Sequence, residues 1–129
     1  MLYLALALGG ALGAITRYLL YQSTAYWETT FPYPTLMINL AGCLVLGFFF
    51  TLTLDYLILH PALRTGFGTG FVGAFTTFST FSVENLRLLQ QGELTLSLLY
   101  VLASLLGGLL CAGIGIHSAR WLARRRLRG

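Results

Sequence analysis

Residues 70–81 read Gly-Phe-Val-Gly-Ala-Phe-Thr-Thr-Phe-Ser-Thr-Phe and lie in the middle of a hydrophobic segment. Gly73 lowers helix propensity, and the hydroxyl side chains that follow it compete with the backbone for hydrogen bonds. This pattern predicts a membrane-spanning helix that is interrupted near the bilayer midplane. Non-helical backbone is tolerated at that depth only where protein buries it or where it lines a polar cavity. Because transporters place ion sites at such breaks, the stretch points to permeation.

The composition is that of an integral membrane protein. Of the 129 residues, 57% are hydrophobic and 9% are charged, whereas soluble domains carry about 25% charged residues. A spanning helix needs about 20 apolar residues. Candidate spans lie at residues 2–21, 34–57, 63–89 and 94–121. The loops between them are short, so we expect residues 1–129 to form a single four-helix transmembrane domain.

The basic residues are all arginines, and most of them crowd the C-terminus. They are Arg120, Arg124, Arg125, Arg126 and Arg128. Four spans place both termini on one side of the membrane, together with Arg64, while Arg17 and Arg87 lie towards the other side. The positive-inside rule then predicts cytoplasmic termini. We interpret the tail as touching anionic headgroups, and nucleic-acid binding is not expected from so short a segment.

Polar side chains inside the first two spans have both structural and functional explanations. Asn39 shares a helical face with Thr35 and Cys43. Its side chain either makes a structural interhelical hydrogen bond or serves as a hydrogen-bond donor that lines a pore. Arg17 is either an arginine that snorkels to the interface, or an anion attractor or structural partner at a vestibule. Counting from the loop that joins the two spans places Arg17 and Asn39 at similar depth.

Small residues recur every four positions and predict close helix approach. Gly9 and Gly13 form such a face in the first span, and Gly66 and Gly70 begin one in the third. The fourth span carries a longer row: Ala103, Gly107, Cys111, Gly115 and Ala119. Cys43 and Cys111 are interpreted as small packing residues rather than as a disulfide or a metal site.

Aromatic and hydroxyl side chains alternate around the predicted break. Phe78 and Phe81 lie one helical turn apart, and each is flanked by Ser or Thr. The edge of an aromatic ring carries partial positive charge, so ring edges beside hydroxyl donors can face a small anion. Tyr100 and Ser104 share one face of the last span and add further hydroxyls. We interpret Glu84 as a partly buried helix-pairing or interface group rather than as a proton carrier.

These residues together resemble the CrcB/Fluc family of fluoride channels over almost the whole chain. The matching pieces are Gly10-Ala-Leu-Gly-Ala-Ile-Thr-Arg-Tyr18, Thr35-Leu-Met-Ile-Asn-Leu-Ala-Gly42, residues 70–81, and Tyr100 with Ser104. The resemblance implies an all-α membrane protein of four transmembrane helices, the third broken near the midplane, assembled as an antiparallel dual-topology homodimer. It also implies a location in the bacterial inner membrane and two pores that passively export cytoplasmic fluoride.

The same resemblance implies roles for individual residues. The residues matched to the fluoride pore are Asn39, Phe78, Phe81, Ser79, Thr80, Tyr100 and Ser104. Arg17 matches a vestibule arginine, and the backbone carbonyls of Gly73 and Thr76 match ligands of a central structural Na⁺. Gly108 departs from the family pattern, because relatives continue the polar track there with a second hydroxyl.

Other functions fit the sequence less well. Six arginines on one side against two on the other are unusual for a dual-topology protein, so a heterodimeric channel is an alternative. A small multidrug-type transporter would need an acidic residue in the first span, where this chain has Arg17. A non-transporting assembly subunit would not need the Thr/Ser/Phe break. An enzyme is not expected, since His60 and His117 stand apart from each other and from any acidic cluster.

Overall fold

The structure is a computed structural model that describes residues 1–24 and 29–126. Within these residues the secondary structure is helical, without a β-strand. Arg128, the last arginine of the tail, lies outside the described residues. Cys43 and Cys111 are both free, half-buried thiols, in agreement with the packing role expected for them.

Long apolar helices account for three of the expected spans. These are α1 (Leu2–Ser23), α2 (Tyr33–Asp55) and α6 (Leu94–Arg126). In the described part of the chain, these three are the helices long and apolar enough to cross a membrane. Proline in the first turn of α2 is compatible with the helix, because the first N–H groups have no intrahelical partner.

The segment expected to form the third span is divided into shorter pieces. They are α3 (Pro61–Thr65), a π-helical segment (Gly66–Val72), α4 (Gly73–Phe75) and α5 (Phe78–Gln90). Between α4 and α5 the backbone is extended, with ψ 161° at Thr76 and φ −149°, ψ 114° at Thr77. The chain therefore leaves the helical conformation inside the hydroxyl-rich stretch.

Glycines allow the π-helical segment to pass closely between its neighbours. A Cβ added at Gly66 would overlap Ala5 of α1, and one added at Gly68 would overlap the ring of Phe50 in α2. From the other side, Gly9 and Gly13 of α1 face the backbone of this segment, so that a Cβ on either would collide with a carbonyl group. The close-packing face predicted for α1 is confirmed.

Helices α2 and α6 run parallel and make the second close contact. Gly47 of α2 lies against the backbone of Ala112, and Gly115 of α6 lies against the backbone of Leu44 and Phe48. Because lipid is as apolar as the side chains, helices in membranes are held together by close packing and interhelical hydrogen bonds. Gly115, a member of the small-residue row expected in the fourth span, supplies part of this packing.

Substitution of Gly13 by alanine tests the contact between α1 and the π-helical segment. We expect Gly13→Ala to lower stability by about 1–3 kcal/mol, because the new methyl group must displace the Phe71 backbone. Thermal unfolding in detergent, followed by size-exclusion chromatography, measures the effect. Gly10→Ala is the matched control, since a Cβ there meets nothing within 4 Å among the described residues. Equal stability of the two variants would contradict the contact.

Candidate functional site

Asn39 holds the extended backbone between α4 and α5. Its Oδ1 accepts a hydrogen bond from the Thr77 N–H at 2.8 Å, and its Nδ2 donates to the Thr77 carbonyl at 3.0 Å. Both backbone groups of Thr77 are thereby paired without a helix. This pairing is the structural interhelical hydrogen bond considered from the sequence. An amide nitrogen carries two hydrogens, so one Nδ2 hydrogen remains for a further acceptor.

Arg17 binds a further backbone group that the break releases. Its Nη1 donates to the Thr76 carbonyl at 3.2 Å. The guanidinium is half-buried and reaches from α1 to a residue 59 positions away in the sequence. In this structure Arg17 acts as a structural partner of the break, which is one of the roles considered for it above.

Thr77 caps the start of α5. Its Oγ1 accepts from the Thr80 N–H at 3.2 Å and donates to the Thr80 Oγ1 at 2.8 Å, while the Ser79 Oγ lies 3.4 Å away. Thr77 is one of the hydroxyl residues expected to compete with the backbone around the break, and its particular role is that of the N-cap of α5. Threonine is among the residues preferred at an N-cap.

A cavity of about 300 Å³ lies beside the break. Its lining includes four residues expected at the site, Asn39, Gly73, Thr76 and Phe78, together with Gly42, Cys43, Leu46, Gly68 and Val72. The cavity thus brings together the Asn39 amide, one of the two pore phenylalanines expected from the resemblance, and the two residues whose backbone carbonyls were matched to the Na⁺ site. The Phe78 side chain is 78% exposed, so this cavity is bordered by a large unpacked aromatic surface.

A second polar cluster centres on Glu84. The carboxylate accepts from the Thr35 Oγ1 at 2.7 Å and from the Tyr100 Oη at 2.8 Å, and Tyr21 donates to Thr35 in turn. Thr35 and Tyr100 are 0% exposed. These contacts join α1, α2, α5 and α6 and confirm the helix-pairing role expected for Glu84. The sequence patterns did not indicate the part played by Tyr21, which lies 14 residues before Thr35.

Phe81 connects the two polar regions. Its ring centroid lies 5.7 Å from that of Phe78 and 4.9 Å from that of Tyr100. The Tyr100 hydroxyl is already committed to Glu84, so what Tyr100 presents towards Phe81 is its ring. The predicted aromatic residues therefore form a continuous row from the cavity at the break to the buried cluster.

Ser104 is separate from both clusters. Its Oγ is buried and has no hydrogen-bond partner in the described part of the chain. A buried hydroxyl that is left unpaired costs about 1–3 kcal/mol. Binding of a ligand or a water molecule to the Ser104 Oγ would therefore be favourable. One turn further along, a Cβ at Gly108 would lie 3.5 Å from the Cys43 Sγ, so this position faces α2.

A polar cavity of about 260 Å³ opens beside Glu84. Its lining combines Glu84 and Arg87 with residues of the segment before α2 and the end of α5: Thr29, Thr30, Phe31, Pro32, Pro34, Leu88 and Gln91. Arg87 is the arginine in the lining of this cavity, whereas Arg17 binds the backbone at the break. The described residues contain no group of three His, Cys, Asp or Glu side chains that could hold a metal ion.

Comparison with known proteins assigns the family. Residues 4–116 match the family model described as CrcB-like protein, Camphor Resistance (CrcB). The chain belongs to the CrcB family. It is 54% identical to "Fluoride-specific ion channel FluC 1" of Moorella thermoacetica over 93% of this chain and 86% of that protein.

Other members of the CrcB family cover the chain equally well. "Fluoride-specific ion channel FluC 1" of Bacillus cereus (strain ATCC 10987 / NRS 248) is 42% identical over 98% of this chain and 93% of that protein. "Fluoride-specific ion channel FluC" of Chlorobium chlorochromatii is 41% identical over 93% of both. The resemblance stated from the sequence is confirmed. Family membership and the apolar helices identify a multi-pass integral protein of the bacterial plasma membrane.

Substitution of Asn39 tests whether its amide holds the break. We expect Asn39→Leu to destabilise the fold by about 1–3 kcal/mol for each Thr77 backbone group left unpaired. Asn39→Asp keeps an acceptor for the Thr77 N–H, but it puts a second oxygen against the Thr77 carbonyl and adds a charge, so its effect should be at least as large. Hydrogen–deuterium exchange of peptides covering residues 73–81 should accelerate in both variants.

Met37→Leu is the control for this experiment, because Met37 is an exposed residue of the same helix. It should exchange at the rate of the unmodified protein. If Asn39→Leu also exchanged at that rate, the amide would not be what holds the extended backbone.

Proposed function

We propose that this chain is a fluoride-selective passive channel that lets cytoplasmic fluoride leave the cell. One observation carries the proposal: the chain is 54% identical over 93% of its length to a protein named as a fluoride-specific ion channel. The membrane potential, negative inside, drives an anion outward by about 2.3 kcal/mol per 100 mV. Passive flow along that gradient is sufficient to lower cytoplasmic fluoride.

The free hydrogen-bond donors suit a small anion. Asn39 retains one Nδ2 hydrogen, and the buried Ser104 Oγ has no partner within the described residues. The hydroxyls of Ser79 and Thr80 lie at the start of α5, next to the break. Fluoride is small and tightly hydrated, so a path that replaces its water must offer fixed donors at close range. Chloride is larger and should fit such a path poorly.

The ring edges of Phe78 and Phe81 supply the remaining part of the proposed path. Aromatic edges are partly positive and carry no bound water, so they can face an anion in a dry constriction. Tyr100 extends this row with its ring, since its hydroxyl is bonded to Glu84. The carboxylate of Glu84 receives two hydroxyl donors, which offset its charge beside an anion path.

The proposed assembly is an antiparallel homodimer with two pores and a third helix broken at the bilayer midplane. Support comes from the exposed Phe78 ring and the exposed Gly73 beside the break cavity, which one chain leaves uncovered. Apolar surface next to released backbone needs a protein neighbour inside a membrane. The bias of arginines towards the C-terminal side favours the heterodimer as the second assembly to be tested.

The proposed central Na⁺ would be held by the carbonyls of Gly73 and Thr76 from both subunits. Carbonyl oxygens are suitable donors for a hard cation. Among the described residues the Gly73 carbonyl has a long contact, at 3.4 Å, with the Thr76 Oγ1. The Thr76 carbonyl, which accepts from Arg17, keeps a second lone pair. When bound, the ion would offset the repulsion between carbonyls that face each other across the subunit boundary.

Efflux from liposomes tests the channel. Purified protein alone, with valinomycin to set the potential, should release fluoride and not chloride. Phe78→Ile combined with Phe81→Ile should reduce fluoride efflux to that of protein-free liposomes, because aliphatic side chains lack a positive edge. Phe67→Ile in the π-helical segment is the control and should conduct. Normal fluoride efflux in the double variant would sink the assigned path.

Ser104 permits a test that separates conduction from folding. We expect Ser104→Ala to lower fluoride efflux without lowering thermal stability, because the Oγ makes no hydrogen bond within the described residues. Ser97→Ala in the same helix is the matched control, because its Oγ donates to Asn85 at 2.5 Å and its loss should lower stability. Unchanged efflux in Ser104→Ala would remove this hydroxyl from the path.

A further inference from the structure

The C-terminal end of α6 extends beyond what the membrane requires. The helix has 33 residues, whereas about 20 residues cross the hydrocarbon core. The end of the helix nevertheless belongs to the packed body, since Ala119 is 0% exposed and Ala123 is 7% exposed. The last turns are therefore a fixed surface at the level of the lipid headgroups rather than a loose tail.

A groove lies along this part of α6. It has a volume of about 480 Å³ and is lined by Phe48 of α2 together with His117, Ser118, Trp121 and Leu122 of α6. The groove lies next to the point where Gly115 brings the two helices into backbone contact. Its floor is mainly apolar, while His117 and Ser118 provide a polar side. A lipid acyl chain would have apolar contacts along Phe48 and Leu122.

Arginines stand at the outer end of the groove. The Arg125 guanidinium lies 3.8 Å from the centre of the Trp121 ring, which is one of the lining residues. Arg124 is exposed on the same turn. This stacking fixes a positive charge beside the indole, because cation–π attraction holds the guanidinium over the ring. Tryptophan and arginine are the residues expected at the boundary between acyl chains and headgroups.

The charge on this side of the molecule selects the headgroup. Asp55 ends α2 on this side, against six arginines that the sequence places there, so the local field is positive. Attraction to an anionic lipid surface contributes about 1 kcal/mol per nearby arginine. A zwitterionic headgroup would gain little from that field, and a soluble phosphate would make no use of the apolar floor.

We propose that the groove between Phe48 and the C-terminal turns of α6 is a binding site for one anionic phospholipid. The acyl chain lies against Phe48 and Leu122, and the phosphate lies beside Arg124 and Arg125 with Trp121 at the boundary. This site is distinct from the break and from the Glu84 cluster. It does not depend on the proposed channel activity, because no residue of the ion path takes part.

Quenching of Trp121 fluorescence by brominated lipids tests the site. The chain has two tryptophans, so Trp27→Phe leaves Trp121 as the single reporter. In phosphatidylcholine liposomes, brominated phosphatidylglycerol should quench more strongly than brominated phosphatidylcholine at equal mole fraction. Replacing Arg124 and Arg125 by alanine should weaken the preference by about fivefold per arginine. Inorganic phosphate added to the buffer should not reverse the quenching.

Matched variants distinguish a specific lipid-binding site from a general attraction of anionic lipids to the positive charge of the protein. Arg128→Ala removes the same charge from the same end of the sequence but takes no part in the proposed site. It should keep the preference, as should the pair Arg124→Lys and Arg125→Lys, which retains charge and reports on folding. Equal quenching by the two brominated lipids, or an equal loss in Arg128→Ala, would overturn the proposal. The assay does not measure fluoride, so its result is independent of the efflux experiments.

Discussion

Released backbone polar groups at Thr76 and Thr77 are the constraint on which the rest of the structure depends. In a membrane such groups must be paired by protein, because hydrocarbon offers no hydrogen bonds. Arg17 pairs one carbonyl and Asn39 pairs both groups of Thr77. Each partner comes from a different helix, so α1 and α2 must approach α4 and α5 closely. The glycine contacts of α1 are what permit that approach.

The same arrangement leaves a specific set of groups free. Pairing at the break consumes one hydrogen of the Asn39 amide and spares the other. The Glu84 cluster consumes the hydroxyls of Thr35 and Tyr100, while the Ser104 hydroxyl stays unpaired among the described residues. The donors open to an anion are thus those that structural hydrogen bonding has not taken. The same group of polar side chains therefore supplies both the hydrogen bonds that hold the helices together and the donors of the proposed ion path.

Local sequence predicted the parts of the fold that local chemistry determines. Glycine, threonine and serine around residue 76 predict a loss of helix, and the four-residue spacing of Gly9 and Gly13 predicts close approach. Local sequence patterns could not predict hydrogen bonds between residues that are far apart in the chain. Arg17 and Thr76 are 59 positions apart, and Thr35 and Glu84 are 49 positions apart, so no periodic pattern in the sequence indicates either contact. Only the packing of whole helices shows which of several possible partners each polar group takes.

The hydrogen bonds of the Glu84 carboxylate restrict how the helices can move. Glu84 lies on α5, and its donors Thr35 and Tyr100 lie on α2 and α6. Tyr21 of α1 joins the same cluster by its hydrogen bond to Thr35. A sliding or rocking motion of any one of these helices would leave the Glu84 oxygens without their donors. The four helices are therefore tied together at one end of the bundle, where α1 ends and α2 begins. The proposed ion path would therefore run beside four helices that a single carboxylate connects.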